Sequence, residues 1–500
     1  MQVTAETEST EFKRLAQAGY NRIPVTLETF ADLDTPLSIY LKLANRANSF
    51  LLESVVGGER FGRYSFIGLA ACTVLRVNGF SVEVLRDGEV VETWQGNPLD
   101  FLAEYQARFK VHVPEGFPRF CGGLAGYFGY DAIRYVENKL ASFDKPDEIG
   151  MPDVLLLQTE ELAVVDTLAG KIYLIVYADP AQADAWQQAQ TRLHALAAQL
   201  RSPVSIPESQ PVPGGEAIRD FKKDDYLAAV LRAKQYITDG DMMQVQIGQR
   251  IKKPFAASPL TLYRALRSLN PSPYMYYYDF GDFQVVGASP EILVRQESTP
   301  DGRKVTIRPL AGTRPRGATP EQDRALAKEL LADEKERAEH VMLIDLARND
   351  IGRIAQTGSV KVTDQMVIER YSHVMHIVSN VEGLLAPGFD NLDVFRATFP
   401  AGTLTGAPKV RAMEIIDELE PVKRGLYGGA CGYLSFSGEM DLAIAIRTGI
   451  VRNGMLYVQA AAGIVADSVP ESEWQETENK SKALLRAAEM AEGGLDTRSV

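Results

Sequence analysis

Cysteine is nearly absent: Cys72, Cys121 and Cys431 are the only three in 500 residues, and no two form a C-x-x-C pair. An odd, scattered set excludes a disulfide framework and a cysteine-based zinc site, and it points to a reducing compartment. Long apolar runs are missing too. None approaches the ~20 residues that a membrane-spanning helix needs, and the polar, acidic stretch Met1 to Tyr20 has no signal-peptide core. The expectation is a cytoplasmic protein with no membrane partner. Positive charge is in deficit, with 53 Lys and Arg against 66 Asp and Glu, for a formal charge of -13. Nucleic acid rewards a basic face, so it is excluded as a partner. Also lacking are G-x-G-x-x-G, the P-loop, G-x-S-x-G and H-E-x-x-H. Bound nucleotide, a serine triad and a zinc protease site therefore have no support.

What is present begins with enough chain, 500 residues, for two or three domains. The sharpest break in composition is Arg201 to Ala217, where four prolines, two adjacent glycines and several serines preclude a regular element. Helices are expected on either side, over Ala181 to Leu200 and Lys222 to Asp239. The N-terminal part alternates short β-rich runs with turns, among them Thr73 to Val77, Val82 to Leu85, Leu162 to Val165 and Ile172 to Tyr177. That alternation predicts antiparallel sheet rather than a doubly wound nucleotide fold. Beyond the break, strands are expected at Gln284 to Val286, Ile292 to Gln296, Lys304 to Arg308 and Met455 to Gln459. Helices are expected at Pro320 to Leu346, Lys409 to Leu419 and Ser472 to Ala491.

Two of those helices carry a Glu-x-x-Glu pair, Glu336 with Glu339 and Glu473 with Glu476. A spacing of three puts both carboxylates on one helical face. Two such faces turned together would offer a hard cation an all-oxygen site. Glutamates at this spacing are also common on solvated helices, so spacing alone leaves both readings open. Arg447 interrupts the apolar run LAIAIRTGIV, and a buried arginine there needs either an internal carboxylate or an anionic ligand. Lys480 follows Glu476 by one turn, placed for an i,i+4 pair or for a substrate carboxylate. Small-residue segments cluster nearby: PLAGTRPRG from Pro309, PAGTLTGAP from Pro400, YGGACG from Tyr427 and AAAG from Ala460. As turns they would let main-chain N–H groups approach an anion, or they are sheet corners. Three of the five histidines fall between His340 and His376, where a base of near-neutral pKa is available.

Read in order, these segments resemble the chorismate-utilising enzyme family. The matching strings are GASPE (Gly287 to Glu291), RPLAGTRPRG (Arg308 to Gly317), AEHVMLIDLARND (Ala338 to Asp350) and RYSHVMHIVS (Arg370 to Ser379). They continue with PAGTLTGAPKVRAMEII (Pro400 to Ile416), YGGACGY (Tyr427 to Tyr433) and GIVADSVPESEWQET (Gly463 to Thr477). Sparser matches precede them: LLES (Leu51 to Ser54), GRYSFIG (Gly62 to Gly68) and GGLAGYFGYD (Gly122 to Asp131).

The resemblance implies an α+β chain folded as a four-layer α/β/β/α arrangement of two large, mainly antiparallel sheets. It implies a smaller N-terminal regulatory part within residues 1–200, a linker over 201–219 and a chorismate-binding catalytic domain over 220–492. It further implies Mg²⁺ held by Glu339 and Glu476, with Glu336 and Glu473 nearby through water. Chorismate would be held by Gly312, Thr313, Tyr427, Arg447, Ala461, Ala462, Gly463 and Lys480. Catalysis would fall to Glu291 as general acid for the leaving hydroxyl, to His376 in the elimination that follows, and to Thr403 and Gln244 beside them.

Two positions separate the branches of the family. Members that add water carry lysine where this chain has Gln244, and a glutamine is no base at neutral pH, so ammonia is the better nucleophile here. Aminodeoxychorismate synthases carry a nucleophilic lysine where this chain has Ala311. The implied reaction is chorismate plus ammonia to anthranilate plus pyruvate, the first committed step toward tryptophan. An aminodeoxychorismate or aminodeoxyisochorismate synthase is the alternative. No glutamine amidotransferase domain is recognisable, so ammonia would arrive free or from a separate glutaminase subunit. Feedback inhibition by tryptophan is implied as well, at Glu53, Ser54, Pro273, Tyr274, Met275 and Tyr433.

Overall fold

Two antiparallel sheets of 12 strands each organise the computed structural model, which describes residues 5–55, 62–140, 145–205, 210–371 and 374–495. The first sheet runs Ile23–Phe30, Lys171–Ala178, Glu161–Asp166, Tyr64–Gly68, Ser49–Glu53, Tyr274–Asp279, Phe283–Ser289, Thr448–Arg452, Met455–Ile464, Gln244–Pro254 and Ile218–Arg219, with Gly406–Ala407 pairing beside Gln244–Pro254. The second runs from Leu310–Pro315 through Val374–Leu384, Gly302–Ile307, Ile292–Thr299, Met440–Ile444 and Ala430–Ser435. It continues into Gly123–Phe128, Val154–Thr159 and the three-stranded meander Thr73–Gln95, with Lys361–Arg370 pairing beside Val374–Leu384.

The layers follow from where the apolar side chains go. Strands alternate faces, and both faces of the central strands are apolar, so each sheet needs cover on two sides. Between the sheets lies an aromatic core that includes Phe50, Phe120, Tyr127 and Tyr278. On the outer face of the first sheet, Leu193, Leu266 and Leu484 bring down helices Ala185–Leu200, Pro259–Leu269 and Pro470–Glu492. Over the second, Phe101, Ile344 and Phe395 do the same for helices Pro98–Ala107, Glu334–Gly352 and Asn391–Thr398. Each such side chain is worth about 1.5–3 kcal/mol when fully buried. The expected four layers are present.

Most expected elements appear with their ends shifted by a few residues. The segment read as one helix over Pro320 to Leu346 is two, Pro320–Ala332 and Glu334–Gly352. Asp333 breaks it by leaving helical backbone and accepting hydrogen bonds from the N–H groups of Lys335 and Glu336, a cap worth about 1 kcal/mol. Two small-residue segments read as turns are strand: Leu310–Pro315, and the AAAG string inside Met455–Ile464. Arg447 sits at the corner between Met440–Ile444 and Thr448–Arg452, in left-handed backbone at φ 52. The proline-rich break has no regular element among its described residues before Ile218, and 206–209 lie outside the described residues. Strands from both sides of that break pair in both sheets: Ser49–Glu53 with Tyr274–Asp279, and Gly123–Phe128 with Ala430–Ser435. No helix among the described residues is long and apolar enough to cross a membrane.

Candidate active site

Glu291 leaves the strand Phe283–Ser289 just before Ile292–Thr299 begins, and its side chain is buried. Behind it is a small cavity of about 40 Å³ whose lining includes Ile292, Leu343 and Ala347. Thr403 Oγ1 donates to Glu291 Oε1 at 3.3 Å. Burial pushes the carboxyl up to about 8, outweighing that bond, a main-chain bond at Leu310 and the charge of Lys480. At neutral pH this group is a carboxylic acid with a proton to give.

His376 lies on Val374–Leu384, across from Gly312 and Thr313 on Leu310–Pro315. Its Nδ1 is 2.9 Å from the Gly312 carbonyl oxygen and 3.2 Å from Thr313 Oγ1. A carbonyl only accepts, so Nδ1 carries the proton and Nε2 keeps the lone pair. Burial holds the ring's pKa below its usual value; the Gly312 bond and Glu369 oppose that, and Arg447 adds to it. His340 is different. It is fully buried, bonded to Ser379 Oγ at 2.7 Å and pushed by burial down to about 4, which makes it a packing residue. His373 lies outside the described residues.

Arg447 donates to the main-chain carbonyl of Lys480, and no ion pair to it is found among the described residues. Burial pulls its pKa down, while Tyr427 and Glu476 pull it back up. A half-buried cation of this kind gains from an anionic ligand. Lys480 Nζ pairs with Glu476 Oε1 at 2.6 Å and also donates to the Ala461 carbonyl at 2.8 Å. Tyr427 is buried beside them.

The two acidic helices cover different sheets: Glu334–Gly352 packs on Leu310–Pro315 and Val374–Leu384, and Pro470–Glu492 on Met455–Ile464, the ladder partner of Gln244–Pro254. Gln244 Nε2 donates to Glu339 Oε1 at 3.3 Å, and it would lie 2.9 Å from any Cβ placed at Gly463. Only glycine leaves that approach open. Gly312, at φ +67, has the same role opposite Glu336, whose Oε2 would be 3.1 Å from an added Cβ. Ala461 shares the inward face with Gln244 and Gly463, while the Ala462 methyl packs outward with Val245 and Ile247, leaving only its main chain for a ligand.

Burial, followed by the charges of Glu339 and Asp333, raises the Glu336 carboxyl, with Arg314 as a partial counterweight. Burial likewise raises that of Glu473, opposed by a bond to Ser468, and Glu476 adds to the rise. Arg314 and Lys480 pair with Glu336 and Glu476, and the carboxylates of each helix are hard oxygen donors of the kind a divalent ion takes. No three acidic, histidine or cysteine side chains among the described residues enclose a metal by themselves. Such a set suits Mg²⁺, which keeps waters and substrate oxygens.

Nothing in the chain's pattern marks the buried hub beneath this site. Arg424 grips Glu420 through Nε at 2.9 Å and Nη2 at 2.6 Å, and both side chains are nearly inaccessible. The same guanidinium donates to the carbonyls of Leu404 and Gln246, and Glu420 accepts from the Gly248 N–H. It thereby ties together the Thr403 segment, the Gln244–Pro254 strand and Tyr427, whose ring centroid is 5.6 Å from it. An i,i+4 Glu–Arg pair is too common to have marked it.

Away from these groups, between the two sheets, lies a cavity of about 420 Å³. Glu53, Ser54, Pro273, Tyr274, Met275 and Tyr433 all line it. Glu53 is held by Arg267 at 2.7 and 3.0 Å and by the Tyr263 hydroxyl.

Comparison with known proteins places this geometry. The chorismate binding enzyme family matches residues 66–486. Anthranilate synthase component 1 of Neisseria meningitidis is 58% identical over 97% of this chain and 99% of its own length. The protein of the same name from Pseudomonas aeruginosa is 56% identical, again over 97% and 99%. Among solved structures, anthranilate synthase component I from Streptococcus pneumoniae superposes with a TM-score of 0.76 at 38% identity, covering 91% of this chain and 98% of that one. The menaquinone-specific isochorismate synthase of Escherichia coli, at 20% identity and TM-score 0.71, shares the fold. The chain belongs to the chorismate binding enzyme family, among its anthranilate synthase component 1 sequences.

Proposed function

We propose that this chain is the chorismate-converting component of a cytoplasmic anthranilate synthase, a Mg²⁺-dependent carbon–oxygen lyase that makes anthranilate and pyruvate from chorismate and ammonia. The observation that carries the reading is half-buried Arg447, a cation with no ion pair among the described residues, in a site that also holds a neutral Glu291. A dicarboxylate substrate supplies the missing anion.

In this reading Glu339 and Glu476, with Glu336 and Glu473 beside them, hold Mg²⁺, whose contribution when bound is Lewis-acid polarisation of the ring carboxylate. Arg447 and Lys480 orient the carboxylates, and Thr313, Tyr427 and the main chain at Gly312 and Ala461 to Gly463 fix the ring. Glu291 protonates the departing C4 hydroxyl as ammonia adds at C2. His376, with its lone pair on Nε2, takes the C2 proton as the side chain leaves as pyruvate. Gln244 offers no base to activate water, and Ala311 no amine to form a covalent intermediate. Ammonia comes free or from a glutamine amidotransferase subunit. The cavity beside Glu53 and Ser54 binds tryptophan, which inhibits by favouring a form that takes chorismate poorly.

The test is an assay of purified protein with chorismate, MgCl₂ and ammonium at alkaline pH, following anthranilate fluorescence and pyruvate. Equal amounts of both are expected; chorismate left unchanged would overturn the reading.

A further inference from the structure

One arginine stands between the cavity and the histidine. Asn380 and Glu382 line the cavity and lie on the same strand as His376, and residues two apart on a strand share a face. All three therefore look the same way, with Val378 between. Arg308 also lines the cavity. It follows Gly302–Ile307, next to the ladder pair Ile307 with Val381. Its guanidinium reaches over this strand to the carboxylate of Glu369 on the neighbouring strand Lys361–Arg370. Glu369 is the ladder partner of His376, so their side chains sit on one face at cross-strand distance. Tyr371 closes the group: its hydroxyl donates to the other oxygen of Glu369 at 3.0 Å, and its ring packs edge-on to His376 at 5.6 Å.

The other basic groups of the cavity wall are bound differently. Arg119 pairs with Glu297, Arg295 with Asp441, and Lys304 with Glu297 and Glu382, all carboxylates of the same lining, while Arg63 pairs with Asp166 of the strand Glu161–Asp166. Arg308 differs in holding a carboxylate that faces the active-site histidine instead of the cavity.

We propose that the Arg308–Glu369 pair is a positioning element for His376 and the link through which occupancy of the cavity is felt at the active site. It rests on the function proposed above for its catalytic consequence. With the cavity empty, Arg308 and Tyr371 fix Glu369 where its charge favours the imidazolium and orients the ring for proton uptake. The carboxylate of an amino-acid effector competes for Arg308. Glu369 is then released, and His376 loses both its neighbour and its orientation. The charged groups facing His376 are Glu369 from the adjoining strand and Arg447 from the corner opposite, with Tyr371 in ring contact.

The test uses the full-length protein and two readouts. The first is the imidazole titration of His376 by nitrogen NMR, assigned with His376→Gln and measured with and without tryptophan. The second is kcat and KM for ammonia-dependent turnover as a function of pH. Glu369→Gln is expected to lower the His376 pKa by roughly one unit. It should move the acidic limb of kcat to lower pH and reduce kcat while leaving KM largely in place. Glu369→Asp, which keeps the charge, should recover part of both. Tryptophan should lower the same pKa in the wild type and leave it unmoved in Glu369→Gln. If Glu369→Gln leaves the titration of His376 and its response to tryptophan as in the wild type, the proposal is overturned. A protein that makes no anthranilate, yet shows the expected NMR shifts, would sink the functional reading and leave this link standing.

Discussion

The active site and the cavity between the sheets treat charge in opposite ways. Around the cavity, Arg267 meets Glu53, Arg295 meets Asp441 and Lys304 meets Glu297, so the wall is close to neutral before anything binds. At the active site, Glu336 and Glu339 press on one another, Glu473 and Glu476 do the same, and Arg447 has no ion pair among the described residues. The difference teaches what each place is built to receive. A self-neutralised pocket loses little on taking a zwitterion, which brings equal charges of both signs. A site with surplus carboxylates on one side and a bare arginine on the other is completed by a cation and an anion together.

The contrast is broken most severely at Glu291. Because this carboxyl is already neutral at pH 7, Glu291→Gln preserves charge and shape while removing the proton. Turnover is expected to fall roughly 10²–10⁴-fold, with chorismate binding retained in calorimetry. In the wild type the acid is present below about pH 8 and lost above it, so kcat, measured at constant free ammonia, should decline through that pH.

Next comes the buried ion pair beneath the active site. Arg424→Met strands Glu420 in the core and should cost about 3–5 kcal/mol of stability, read from denaturant melts. Removing both members, Arg424→Met with Glu420→Met, should recover much of that loss and yet leave the Thr403 segment without its anchor.

A smaller effect sharpens the cation side. Magnesium at a hundredfold its Kd should stabilise the protein by about 2.7 kcal/mol, a shift visible in thermal melts. Glu339→Gln combined with Glu476→Gln should abolish it, and EDTA should reverse it in the wild type. At the cavity, Ser54→Phe fills space needed by tryptophan. The expected loss is of the whole inhibitory effect, a coupling of roughly 5–150-fold, measured as the ratio of turnover with and without saturating tryptophan.

What could be read in the chain differs between these places for a physical reason. The period of apolar residues located the helix Lys409–Leu419 at its observed ends and most strands within a few residues. The acid pairs were visible because helical spacing alone puts Glu336 with Glu339 on one face. That Glu339 would meet Gln244 was not, since it depends on which strands lie beside that helix. The break at Asp333 was hidden because helix-forming residues flank it on both sides, and a single cap decided the matter. PLAGT resisted for the opposite reason: its proline and glycines speak for a turn, and pairing with Val374–Leu384 overrides them. The Arg424–Glu420 hub and the Arg308–Glu369 pair were illegible because their meaning lies in partners tens to hundreds of residues away.

That both sheets mix strands from before and after the proline-rich break has a consequence for how the polypeptide is made. Ser49–Glu53 waits for Tyr274–Asp279, and Gly123–Phe128 waits for Ala430–Ser435. During synthesis Ser49–Glu53 can pair early with Tyr64–Gly68 and Gly123–Phe128 with Val154–Thr159, but the other edge of each stays open until Tyr274–Asp279 and Ala430–Ser435 have been translated. Contacts so distant close slowly and expose adhesive strand edges meanwhile. A gene cut at the break would not yield two self-sufficient pieces; the halves would have to be produced together and assembled as one.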